Sequence, residues 1–135
     1  MNEGAKTYRV LIFGREGCPK CDVLKERLGK TLAKKEWADF EKQYLSVKTV
    51  DGLVAFSRAQ CVNPSRIPAM VVTKRDPETG EYALLPNPAP GVPDAVCMKS
   101  KLYQYLGLQT DYSSVGKGVI SSKMITTVLG QALEL

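Results

Sequence analysis

The sequence predicts an α/β layered domain: a mixed four-stranded sheet with helices on both faces. Two observations carry this. Short apolar runs of strand length alternate with segments of helical spacing, the pattern of strand–helix–strand units whose strands lie parallel. Further along, an apolar run, a turn and a second short run follow one another with no helix between, which adds an antiparallel hairpin.

The first element is Tyr8 to Phe13, whose continuous apolar residues suit a central strand buried on both faces. After a turn containing Gly14 and Gly17, Val23, Leu24, Leu28 and Leu32 recur near i, i+4, i+8, so a helix starts close to Pro19. Trp37, Phe40 and Tyr44 extend this apolar stripe, with a bend or second short helix after Gly29, and Trp37 is expected in the core. Leu45 to Val50 alternates apolar and polar residues, a half-buried strand ended by Asp51-Gly52. Leu53 to Cys61 reads as a short helix with Leu53, Val54 and Phe56 facing inward, and Asn63-Pro64 marks a loop.

Ile67 to Val72 is a strand headed by Pro68, a place where a missing N–H is tolerated. Asp76 to Gly80 is a turn, and Glu81 to Leu85 returns antiparallel. Four prolines between Pro86 and Pro93 rule out regular structure there. Asp94 is placed to cap a helix reaching about Leu108, and Ser121 to cap a last helix carrying Met124, Ile125, Val128, Leu129 and Leu133. The 135 residues are expected to form a single domain, residues 1–135, with an insertion at about 86–115 before the C-terminal helix.

Composition narrows the chemistry. Hydrophobic content of 44% and charged content of 24% are those of an ordinary globular protein. Four cysteines are too few and too unevenly placed for a disulfide framework. No apolar run approaches membrane-spanning length, and Met1 to Lys6 is polar and lacks a signal-peptide core, so a cytoplasmic location is expected. The net charge of +5 is spread over lysines interspersed with acids, a solvated helix face rather than a nucleic-acid footprint. Histidine is absent, which removes Ser-His-Asp and Cys-His nucleophile pairs and histidine general-base catalysis.

Thiols remain. Cys18-Pro19-Lys20-Cys21 sits directly after the first strand and at the start of the first helix. With Pro19 at the first helical position, Cys18 falls at the N-cap, where unpaired N–H groups and the helix dipole favour a thiolate. Such sites lower a thiol pKa from about 8.5 to roughly 3.5–7.5. Cys21 lies one turn on and on the same side, close enough to form a disulfide, so Cys18 would attack and Cys21 resolve. A Cys-x-x-Cys also serves metal sites, and inert structural cysteines stand as the third reading. Cys61 and Cys97 read as buried structural thiols; their spacing does not bring them to the motif, and no metal site is expected.

Three separated features resemble the thioredoxin/glutaredoxin-like family over nearly the whole chain. They are Arg15-Glu16-Gly17-Cys18-Pro19-Lys20-Cys21-Asp22, then Arg66-Ile67-Pro68-Ala69-Met70, and Gly118-Val119-Ile120-Ser121-Ser122-Lys123-Met124. The resemblance implies a thioredoxin-like fold and a thiol-disulfide oxidoreductase with Cys18 as nucleophile and Cys21 as resolving thiol. It implies that Pro68 is a cis proline beside the disulfide and that the backbone of Ile67 pairs with substrate. Arg15 would hold a glutathione carboxylate or stabilise the thiolate, and Pro19, Lys20 and Arg66 would complete the substrate-binding rim. The implied partners are a disulfide-containing protein or small molecule, and glutathione or a reductase as electron donor. No bound cofactor, nucleic acid or membrane is implied, and the chain would act as a monomer.

The chain also departs from the family pattern. Ile12 stands near the place of the thioredoxin buried acid, Gly17 replaces the tryptophan before the motif, and the Gly-Gly-Asp type glutathione loop has no copy. Proton transfer at Cys21 would need another group or water. Two other functions compete with the enzyme: an interaction module that keeps the fold for binding, and a thiolate metal or iron–sulfur carrier.

Overall fold

The structure, a computed structural model, describes residues 6–59, 68–86, 105–109 and 120–135. Along the described chain run β1 (Tyr8–Gly14), α1 (Pro19–Leu32), a single 3-10 turn (Lys35–Trp37), β2 (Phe40–Ser46) and α2 (Val50–Ala59). There follow β3 (Ala69–Arg75), β4 (Tyr82–Leu84), β5 (Gly107–Gln109) and α3 (Ser122–Leu133). Among the described residues, no helix is long and apolar enough to cross a membrane.

The sheet is mixed, with strand order β2-β1-β3-β4 and β5 also paired with β3. β1 and β2 run parallel, Tyr8 opposite Phe40 and Gly14 opposite Ser46. β3 runs antiparallel to β1, Val10 opposite Val72 and Phe13 opposite Ala69. Side chains alternate across the sheet and divide the core in two. Val10, Ile12, Met70 and Val72 pack with Leu24 and Leu28 of α1 and with Ile125, Val128, Leu129 and Ala132 of α3. On the opposite face, Phe13, Ala69 and Val71 pack with Phe56 of α2 and with the two cysteines. The central strand is less completely covered than its apolar run suggests, since Arg9 and Leu11 are half-buried on the α2 side. There Arg9 meets Glu41 at 2.7 Å and lies 3.9 Å above the Tyr82 ring.

The edge opposite β2 has an unusual construction. β4 and β5 both pair antiparallel with β3, β4 along Thr73–Arg75 and β5 along Ala69–Val71. They therefore point the same way and form one interrupted edge strand. Between them Leu106 donates its N–H to the Leu85 carbonyl at 2.9 Å, and Val72 donates to the Leu106 carbonyl at 3.0 Å. An antiparallel bridge between Pro86 and Tyr105 joins the end of the β4 segment to the start of the β5 segment.

Several expectations are corrected. The apolar stripe after Leu32 does not continue as helix: Trp37 ends the 3-10 turn, buried, and Phe40 and Tyr44 belong to β2. The expected strand at 45–50 is thus displaced; it ends at Ser46, and α2 already begins at Val50. Pairing with β1 overrides the i, i+4 spacing, and the Tyr8 and Phe40 rings stack 4.6 Å apart across the two strands. In α2 Phe56 is buried, while Leu53 and Val54 are exposed. In α3 Met124 and Leu133 are exposed and Ala132 takes the inward place. The helix expected to run to Leu108 cannot do so, because Tyr105 is bridged to Pro86 and Gly107–Gln109 is strand. The expected insertion at about 86–115 contains β5, which belongs to the edge of the sheet, and among the described residues the expected four strands are five segments. The start of that helix and the proline run lie outside the described residues.

Candidate active site

β1 delivers the chain to one end of the sheet, and α1 starts there. The connection turns at Gly17, whose φ of +73° lies in the left-handed region that side-chain-bearing residues avoid. This explains the departure at that position: a tryptophan would be strained there, although the space around it is open. Cys18 is extended (φ −103°, ψ 103°) and is the N-cap of α1, with Pro19 in the first turn. Its sulfur accepts the Cys21 N–H at 3.2 Å, and its carbonyl accepts the Asp22 N–H at 3.2 Å.

Cys18 and Cys21 are paired as a disulfide, with Cα atoms 5.2 Å apart. Cys18 retains 8% exposure and Cys21 has none. Only Cys18 is therefore open to attack on or by a second molecule. Phe13, Phe56, Ala69 and Val71 wall the pair on the α2 side. Arg15, Glu16, Gly17, Pro19 and Lys20 form an exposed rim around it. Pro68 is buried and immediately precedes Ala69, the residue opposite Phe13, so it stands at the cysteine end of the sheet. Of the expected site residues, the fold brings together Cys18, Cys21, Arg15, Pro19, Lys20 and Pro68. Arg66, Ile67, Cys61 and Cys97 lie outside the described residues.

Two residues that the sequence reading passed over complete the site. A Cβ on Gly14 would stand 3.1 Å from the Cys21 sulfur and 3.0 Å from Cε2 of Tyr44, so the strand end and Cys21 meet closely enough that any larger residue would press on both. Tyr44, opposite Ile12 on β2, reaches the same point with its ring edge. The Lys25 ammonium sits 4.3 Å from the centre of the Tyr44 ring and 3.5 Å from Asp22. Burial pushes the Tyr44 phenol above its ordinary pKa; Lys25 pulls it back, while Asp22 and Glu16 push it further up. Gly14 was visible in sequence as a turn residue, but its contact with Cys21 depends on strand pairing and had no local signal.

The arrangement is suited to dithiol exchange: one reachable sulfur at a helix N-terminus, one shielded sulfur a turn away. No protein-family profile, no curated protein and no solved structure matches the chain.

Proposed function

We propose that the protein is a thiol-disulfide oxidoreductase of thioredoxin-like fold that reduces disulfides through Cys18 and Cys21. The observation that carries this reading is the unequal pair at the start of α1: Cys18 at the N-cap and reachable, Cys21 buried behind it. The strand order β2-β1-β3-β4, with β1 and β2 parallel and β3 antiparallel, supports the thioredoxin-like assignment. So does the division of helices, α1 and α3 against one face and α2 against the other.

In the reaction, the Cys18 thiolate attacks one sulfur of a substrate disulfide; that bond breaks and the other sulfur leaves as thiolate. Cys21 then gives up its proton to water or to the thiolate that has just departed and attacks the Cys18 sulfur; the Cys18–substrate bond breaks and the second substrate sulfur leaves as thiolate. Two electrons pass from the two cysteines to the substrate, and glutathione or a reductase returns them. The helix N-terminus stabilises the Cys18 thiolate. Exposed Arg15 and Lys20 offer positive charge at the rim for an anionic substrate such as a glutathionylated thiol. A cytoplasmic monomer of a single domain is the form in which we expect it to work.

The deciding experiment is a redox titration in defined thiol buffers, read by alkylation and mass shift. A single two-electron transition that vanishes in Cys21→Ser is the expected result. A pair that never closes across the biological range removes the redox reading in favour of a binding module or a metal carrier.

A further inference from the structure

On its face of the sheet α2 lies over the cysteine end, where Phe56 packs with Phe13, Ala69 and Val71. Farther from the cysteines the same face continues as Leu11 and Arg9 on β1 and as Thr73 and Arg75 on β3, because alternate strand residues share a face. Here the structure has a cavity of about 570 Å³, within the size range of small-molecule sites. Leu11, Leu45 and Ala55 line it toward the cysteine end, and Arg9, Arg75 and Tyr82 line it at the far end.

The two arginines stand on neighbouring antiparallel strands. Arg9 is opposite Thr73, so Arg75 is its diagonal neighbour, with Cβ atoms about 7–8 Å apart. Arg9 is held in place: its Nε donates to Glu41 at 2.7 Å, and its guanidinium lies 3.9 Å from the centre of the Tyr82 ring. Tyr82 is itself tied down by its hydroxyl, which donates to the Lys6 carbonyl at 2.6 Å. Pairing through Nε leaves the terminal N–H groups of Arg9 over. Arg75 is half-buried and makes no ion pair among the described residues. Its sequence neighbour Asp76 is occupied in the β3–β4 turn, where the carboxylate accepts the Glu78 N–H at 2.8 Å. The Arg75 guanidinium lies instead beside Gly80, its Nη2 3.5 Å from where a Cβ would be. The remaining acid at the cavity, Glu81, is exposed. Lys6 and Lys74 line, with Arg75, an adjoining cavity of about 210 Å³. A half-buried guanidinium facing a cavity without a counter-charge favours an oxyanion, which its N–H groups match in geometry.

We propose that this cavity binds an amphiphilic organic oxyanion, a carboxylate or phosphate monoester carrying an alkyl body. The oxyanion sits between Arg75 and Arg9, and the body runs past Leu11 toward Leu45 and Ala55. Leu45 is opposite Phe13, so the apolar end lies four strand residues from Arg9, about 13 Å, which suits an extended octyl chain. This site does not depend on the chemistry of the cysteine pair.

The test is calorimetric titration of the full-length protein with octanoate and with octyl phosphate. At least one should bind saturably, one to one, and the tighter of the two identifies the headgroup. Acetate, which has no body, and octanol, which has no charge, should each bind at least about tenfold more weakly. Arg75→Gln keeps the strand and most of the stem but removes the charge, and should weaken binding about tenfold or more. Ala55→Phe leaves both arginines and fills the apolar end, and should weaken it comparably. In the wild type, the amide resonances that shift on adding the tighter probe should centre on Leu11, Thr73 and Gly80. Absence of saturable binding at millimolar octanoate and octyl phosphate would overturn the proposal. So would wild-type affinity in Arg75→Gln, octanol binding as tightly as the anions, or resonance shifts centred elsewhere.

Discussion

Gly17 and Asp39 are small residues with disproportionate placing roles. Gly17 sets the left-handed turn that puts Cys18 at the N-cap. Gly17→Ala meets no neighbouring atom, so its cost is conformational alone, about 1–2 kcal/mol. Denaturant unfolding should read that loss, together with slower alkylation of reduced Cys18 as the cap geometry shifts. Asp39 ties the start of β1: its carboxylate accepts the Thr7 N–H at 3.0 Å and its carbonyl accepts the Tyr8 N–H at 3.1 Å. The hydrogen bonds from Thr7, with the nearby Lys6 charge, outweigh desolvation and hold the carboxyl below its ordinary pKa. A lowered carboxylate pKa stabilises the fold fully above the unfolded value, about pH 4, and that contribution is lost as pH falls through the folded value. Acid unfolding should therefore show a shallower dependence below about pH 4 in Asp39→Asn than in the wild type.

The helices and strands differ in how plainly they are written. α1 and α3 were legible because their signals are local. Pro19 follows Cys18 directly, and Ser121 is followed by an apolar run that includes Ile125, Val128 and Leu129. Ser121 accepts the Met124 N–H at 3.2 Å, and Arg27 of α1 reaches across to the Ile120 carbonyl at 2.9 Å. Ser121→Ala should accordingly cost about 1 kcal/mol in denaturant unfolding. β2 was misplaced because Phe40 and Tyr44 fit a helical stripe, and only the β1 partner decides otherwise. β5 was read as helix because a three-residue edge segment carries too little pattern to oppose a long amphipathic one. Within the site, Cys18, Cys21 and Pro19 were legible from spacing alone. Gly14 and Tyr44 were not, because strand register brings them to Cys21 and no motif records register.

The molecule as a whole is expected to hold its fold without its disulfide. The bridge closes a ring of only a few residues, a constraint worth about 2 kcal/mol on the unfolded chain. The sheet and its two apolar faces, meanwhile, are assembled from β1, β3, α1, α3 and Phe56. Reduction should leave a cooperative thermal transition and lower Tm by no more than about 10 °C, measured by calorimetry with and without a strong reductant. Such independence would suit the repeated opening and closing that the proposed exchange requires.

The interrupted edge strand has a consequence in time. A ribosome finishes β4 first, and with it the partner of Thr73–Arg75, whereas Ala69–Val71 has to wait for Gly107–Gln109. At ribosomal speeds that wait is roughly one to five seconds. Throughout it, Ala69, the strand neighbour of Phe13 beside the cysteines, presents an open backbone edge on its other side. The end of the sheet that carries the cysteine pair is thus the end a nascent chain completes last.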